Sequence, residues 1–207
     1  DSQPITLGPV IDAGIPYVTV SEDGVYTENF SSPHGLSDGV DESILFCKNN
    51  NLSRIRHFTV QYGDFIAHNI YNLIYDSIQR LYPECDFQRV ILKTQSGSPE
   101  EIHKCLHEYL EQNEFDIAFT PNYKVGIIFN HQYTMKYGYT LPLKIKHICI
   151  SGFSILEWGF PTISSMNIPL RSIGKFSAQL MQSIIENRAY SQQTFSSSLV
   201  HRDSTLL

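Results

Sequence analysis

Apolar residues along this chain come in two rhythms, short unbroken runs and longer stretches spaced at three or four, and the two alternate. That alternation predicts strands and helices wound into a parallel α/β sheet. The pattern is sharpest around the middle of the chain. Phe115–Phe119 reads as a strand, Thr120-Pro121-Asn122-Tyr123 breaks it, and a helix is predicted from about Lys124 to Tyr137. Gly138 suits the left-handed residue that ends a helix, and Pro142 follows. Ile145–Ile150 is a second strand, punctuated by Ser151-Gly152. In such sheets the loops leaving the carboxyl ends of strands hold the ligand. Here those loops are Pro121–Tyr123 and Ser151–Trp158.

The same rhythm extends to both sides. Ala13-Gly14-Ile15-Pro16 reads as a helix exit, Tyr17–Val20 as a strand, and Glu22–Pro33 as a polar loop. A helix from His34 or Ser37 to Asn49 places Val40, Ile44, Leu45 and Cys47 inward, and Ile55–Val60 is a strand. A long helix from Asp64 to Leu81 carries Ile66, Ile70, Leu73, Ile74, Ile78 and Leu81 as a core stripe. Phe87–Lys93 is a strand. Ser98-Pro99-Glu100-Glu101 then starts a helix to about Gln112, with Ser as N-cap, Pro in first position and Glu as the far half of a capping box. Past Met166, Pro169 precedes a helix over Leu170–Glu186, and Leu199–Arg202 is the last strand.

Composition narrows the function. Across 207 residues the apolar content of 42% with 17% charged residues fits a folded globular chain. A formal charge of −6 argues against this chain gripping nucleic acid by itself. No stretch reads as a signal peptide or membrane span. The four cysteines Cys47, Cys85, Cys105 and Cys149 lack CxxC spacing; they read as free thiols, which suggests the reducing cytoplasm. No hydrolase, zinc-protease or nucleotide-binding motif is present, so no catalytic activity and no cofactor are expected. His103 and His107 stand one helical turn apart, a spacing that can bind zinc but needs a third ligand; a solvated helix face is the reading adopted, and no metal is expected. His147, inside an apolar strand, reads as a hydrogen-bonded core residue.

The order of several short pieces resembles the effector-binding domain of the LacI/GalR family of transcription regulators. These pieces are Pro121-Asn122-Tyr123, Leu141-Pro142, Ser151-Gly152-Phe153-Ser154, Ile163-Ser164-Ser165-Met166, Asn167–Gly174 and Leu199-Val200-His201-Arg202-Asp203-Ser204-Thr205. The resemblance implies a periplasmic-binding-protein-like (type I) fold of two Rossmann-like parallel-sheet subdomains. Residues 1–61 with 168–192 would form a partial N-subdomain, and 62–167 with 193–207 the C-subdomain. It further implies that the chain is truncated at its start, that the DNA-binding headpiece is absent, that the protein is a homodimer and that DNA is bound only through the missing segment. The effector would be a small molecule such as a sugar, held between the subdomains.

Carrying the family's ligand contacts over position by position gives a mixed set. Asn122 keeps the family's asparagine, while Tyr123 replaces the aspartate that follows it. Ser154 and His34 stand where aspartate is common, and Ile70 where an arginine would reach the ligand. Asp64 and His68, at the start of the long helix, and Trp158, whose ring could stack on a sugar, complete the candidates: Asn122, Trp158, Ser154, His34, Asp64 and His68. With charged grips replaced, the ligand would not be held as a typical sugar is in this family. Two other readings stay open: a solute-binding protein of a sugar transporter, and a degenerate dimerisation module without ligand.

Overall fold

The computed structural model describes residues 8–21, 24–27, 30–62, 65–66, 69–191 and 193–207. The chain divides into two units. One comprises residues 1–36 and 169–197, the other 37–168 and 198–207.

The larger unit is built on a parallel sheet. Its strands are β4 (Arg54–Tyr62), β6 (Asp86–Thr94), β7 (Ile117–Thr120), β8 (Lys146–Cys149) and β9 (Ser164–Asn167). They lie side by side in the order β6-β4-β7-β8-β9, every neighbour parallel. The antiparallel strand β11 (Ser198–Val200) closes the β9 edge, and β5 (Phe65–Ile66) folds back on the end of β4. In chain order this is the 2-1-3-4-5 arrangement of a doubly wound sheet, whose winding reverses between β4 and β7.

Helices cover both faces. Along β4, Phe58 and Val60 face α4 (Pro99–Gln112) and α5 (Tyr123–Tyr137), in one apolar cluster with Leu92, Leu106, Phe129 and Tyr133. Its alternate residue Ile55 joins Val40, Ile44, Ile74 and Ile78, from α2 (Leu36–Asn49) and α3 (Asn69–Leu81), in the second cluster. Burial on two faces explains why the strands read as unbroken apolar runs.

Strand ends are tied by polar side chains. Arg54 forms a two-pronged pair with Asp116, at 3.1 and 2.8 Å, and Asp116 also accepts from the backbone N–H of Ser53 and Arg54. Burial works to raise the Asp116 pKa, but these bonds prevail and hold it below the usual carboxylate range. The C-terminal turn, Asp203–Thr205, is stitched to the amino ends of β8 and β9. Ser204 donates to the His147 carbonyl at 2.6 Å and accepts from the Ser164 N–H at 2.8 Å, while Arg202 donates to the Ile163 carbonyl and to Glu157.

In the smaller unit, β1 (Thr19–Ser21), β2 (Gly24–Thr27) and β3 (Phe30–Gly35) form an antiparallel meander, and β10 (Phe195–Ser196) runs parallel to β3. Helix α6 (Leu170–Ile185) buries Ile173, Phe176 and Leu180, with the rings of Phe176 and Phe195 5.5 Å apart. A short helix, α1 (Gly8–Asp12), precedes the meander and ends at Gly14 in the left-handed region.

Several expectations are corrected. The 22–33 stretch is not a loop throughout, since it carries β2 and most of β3. The described strands of the smaller unit are mainly antiparallel, not a parallel Rossmann half. The first crossing falls at Leu36/Ser37 and not at 61/62, because β4 pairs with β6 along all nine residues and with β7 at Ile55–His57. A strand hydrogen-bonded in the middle of a sheet cannot belong to another unit, so α2 and β4 move with it. The return crossing falls at Ile168/Pro169, where 167/168 was expected, and the last at Ser197/Ser198 instead of 192/193. Helix α3 also starts at Asn69, later than the expected Asp64.

Candidate functional site

The carboxyl tips of β7 and β8 lie beside the reversal in winding, where doubly wound sheets take ligands. Asn122 caps α5 there: its Oδ1 accepts the Val125 N–H at 3.1 Å, so its amide NH2 is left over from the cap. The next residue, Tyr123, meets Phe153 from the β8 loop, with ring centroids 5.0 Å apart and planes inclined by 59°. Phe153 is half exposed, and Ser154, exposed beside it, opens a short 3-10 turn over Ser154–Glu157. The structure therefore brings the Asn122-Tyr123 and Phe153-Ser154 loops together.

Beneath these loops is a buried polar group in which His147 has the hydrogen-bonded core position expected of it, while its neighbours Thr120 and Cys149 were not singled out in the sequence. Thr120, fully buried at the end of β7, bonds through Oγ1 to His147 Nε2 at 2.8 Å. Burial pushes the Cys149 thiol up to about 12 and holds the His147 imidazole down to about 3, so both are neutral at ordinary pH. Helix α5 approaches this group through Gly126, where a methyl would stand 3.2 Å from both Cys149 Sγ and Thr120 Oγ1. Gly152 is needed for a similar reason: a Cβ would stand 2.8 Å from the Met166 carbonyl oxygen. A Thr as the last residue of an apolar strand was the available signal for this group.

Trp158 is not at the tip. Because β8 and β9 are parallel, the chain between them returns from the carboxyl end to the amino end of the sheet. Trp158 lies on that return with its side chain 83% exposed. Two residues on, Phe160 packs against Tyr139, 5.6 Å between centroids, just past the C-terminus of α5. Asn130 fixes the return by donating to the Pro161 carbonyl at 2.9 Å. Tyr139 (64%) and Phe160 (62%) thus form an exposed aromatic pair just past α5, and Trp158 (83%), two residues before Phe160, is exposed as well.

The other candidates fall elsewhere. The backbone of His34 lies in β3, paired with Phe195, while its side chain and all of Asp64 and His68 lie outside the described residues. Hollows of about 290 Å³, beside β6 and α4, and about 330 Å³, between α2 and β11, open away from the tips. All four cysteines are free thiols. Among the described residues no three His, Cys, Asp or Glu side chains are grouped to hold a metal ion, and no helix is long and apolar enough to cross a membrane.

Comparison with solved structures identifies the fold as that of the LacI-family, periplasmic-binding-protein-like effector domains. A LacI family transcriptional regulator from Enterococcus faecium, with bound ribose, superposes with a TM-score of 0.74 at 16% identity, over 97% of this chain and 74% of that one. The transcriptional repressor ascG from Escherichia coli gives 0.67 at 15% identity, over 85% and 64%. A LacI family regulator from Arthrobacter sp. FB24, in complex with lactose, gives 0.69 at 15% identity, over 83% and 65%. The chain thus spans just under two thirds of the length of several of these structures. No protein-family profile matches the chain, and no curated protein sequence does.

Proposed function

We propose that this chain is the effector-binding part of a LacI/GalR-type transcription regulator, with no catalytic activity of its own, and that it binds a small molecule such as a sugar at the carboxyl tips of β7 and β8. The observation that carries the reading is the convergence of the Asn122 and Ser154 loops beside the winding reversal, in a fold whose neighbours include ribose- and lactose-bound regulators. In this reading the Asn122 amide and the Ser154 hydroxyl bond the ligand, and Phe153 offers it a face. His34, Asp64 and His68 remain proposed contacts on the strength of the resemblance. Repression in the cytoplasm, and operator binding through a DNA-binding segment, are then properties of the whole protein.

Two copies are proposed to pair through Tyr139, Phe160 and Trp158, because an exposed aromatic surface of this kind marks an association site. Trp158 is accordingly assigned to pairing and not to the ligand. Thermal-shift measurements against ribose, lactose, sugar phosphates and nucleosides test the reading. A ligand present at a hundred times its Kd stabilises the folded state by about 2.7 kcal/mol, so a true effector raises the melting temperature by several degrees. Stabilisation by none of these compounds would favour the dimerisation module without ligand.

A further inference from the structure

Tyr62, the last residue of β4, is set in a way that its own strand does not explain. By strand alternation it shares the face of Phe58 and Val60, which α4 and α5 bury. Tyr62 lies past that cover and is 42% exposed. In the sheet, β4 stands between β6 and β7. Helix α4 follows β6 in the chain and α5 follows β7, and both pack on this face. The Tyr62 ring therefore emerges between the starts of the two helices, on the side where Asn122 opens α5.

The ring rests on Gly97, in the loop that leads into α4. A Cβ built on Gly97 would fall 1.8 Å from Tyr62 Cε1 and 2.2 Å from Cδ1, inside the space the ring fills. The Gly97 backbone has φ +68, in the left-handed region that favours glycine. Only glycine, then, leaves this bed for the ring. The loop is held in its turn by Glu101. Its carboxylate accepts from the N–H groups of Ser96 and Gly97, at 3.0 and 3.1 Å, and from the Ser96 hydroxyl at 3.0 Å. These bonds, led by the Ser96 N–H, keep the carboxyl below its usual range. The Tyr62 backbone is fixed as well, paired with Thr94 of β6 on one edge and with Phe65 of β5 on the other. A ring seated on glycine backbone, rooted in a strand end paired on both sides and still partly open to solvent is preorganised to meet a second ring at little ordering cost.

We propose that Tyr62 is a ligand-binding residue of the strand-tip site, its ring the face on which a ring of the effector stacks, whether a sugar ring or a nucleobase. The inference rests on the strand-tip reading above, in which Asn122 and Ser154 supply the hydrogen bonds. It adds an apolar wall from the β4 side, with Gly97 as the support that sets where that wall stands.

The test is NMR on the intact chain, titrated in turn with ribose, lactose and adenosine. With a compound that binds, the ring signals of Tyr62 should move along the same saturation curve as the side-chain NH2 signals of Asn122. By calorimetry, Tyr62→Leu should weaken that compound roughly fivefold, while Tyr62→Phe, which keeps the face and loses only the hydroxyl, should stay within about twofold of the parent. Ring signals that stay in place at saturation while those of Asn122 move would overturn this proposal and leave the strand-tip reading standing, even if the leucine variant did not fold. Equal affinity in a folded Tyr62→Leu would do the same. Binding of none of the three compounds would remove the strand-tip reading and this proposal together.

Discussion

At the scale of single residues, Asn122 separates two roles by chemistry. As a cap it needs only an oxygen acceptor for the Val125 N–H, whereas the proposed ligand contact uses its NH2. Asn122→Asp keeps the acceptor and loses the donor, so it should leave urea stability nearly unchanged while reducing effector affinity about tenfold by calorimetry. Asn122→Ala loses both and should also destabilise the fold by about 1 kcal/mol. The buried histidines give a second prediction. His57 has no hydrogen-bond partner on either ring nitrogen, and burial, helped by the Arg89 charge, lowers its pKa to about 3; burial lowers that of His147 equally. A base whose folded pKa lies below its unfolded value near 6.5 binds its proton more readily in the unfolded chain. Stability is then complete above about pH 6.5 and declines towards pH 3, by about 1.4 kcal/mol per pH unit for each such histidine. Urea unfolding between pH 7 and pH 4 measures that slope, and a flat profile would exclude it.

At the scale of elements, legibility followed the strength of the local signal. The capping box was visible as Ser98-Pro99-Glu100-Glu101, and the structure has Ser98 accepting the Glu101 N–H while the Glu101 carboxylate reaches back to the N–H groups of Ser96 and Gly97. Ser98→Ala should cost about 1 kcal/mol in equilibrium unfolding, concentrated in α4 by hydrogen exchange. The strands buried on both faces, β4, β7 and β8, announced themselves as apolar runs, and the proposed contacts Asn122 and Ser154 stand in the motifs that follow two of them. The stretches carrying β2 and β3 did not, because GVYT and FSSPHG are short and have turn-forming neighbours on both sides. The first crossing was misplaced for another reason. Nothing in a strand's own residues says which sheet will accept its hydrogen bonds, and β4 reads the same in either unit. Trp158, expected in the loop at the tip, lies on the return from β8 to β9, whose direction is set by the parallel pairing and not by the residue type.

At the scale of the whole molecule, the exposed aromatics decide whether the chain stands alone. Side chains of this kind bury about 150–250 Å² each, so Tyr139, Phe160 and Trp158 at their observed exposure present on the order of 400 Å². That equals a large patch for a monomer and about half of the ~800 Å² per partner in a standard interface. Exposing it permanently to water costs roughly 25 cal/mol per Å², on the order of 10 kcal/mol for the patch, most of which association recovers before ordering costs are deducted. Aspartate at Trp158 and Phe160 would place two desolvated charges at each half of such a contact, with no cation presented by the aromatic surface to compensate them. Trp158→Asp/Phe160→Asp should therefore sediment as a monomer, whereas under the proposed pairing the parent chain should sediment as a dimer. The variant should keep its ligand-induced thermal shift, because both positions leave the Asn122 and Ser154 loops untouched. If the variant loses the thermal shift but still pairs, the roles given to the aromatic surface and the strand tips are reversed, and Trp158 returns to the ligand site.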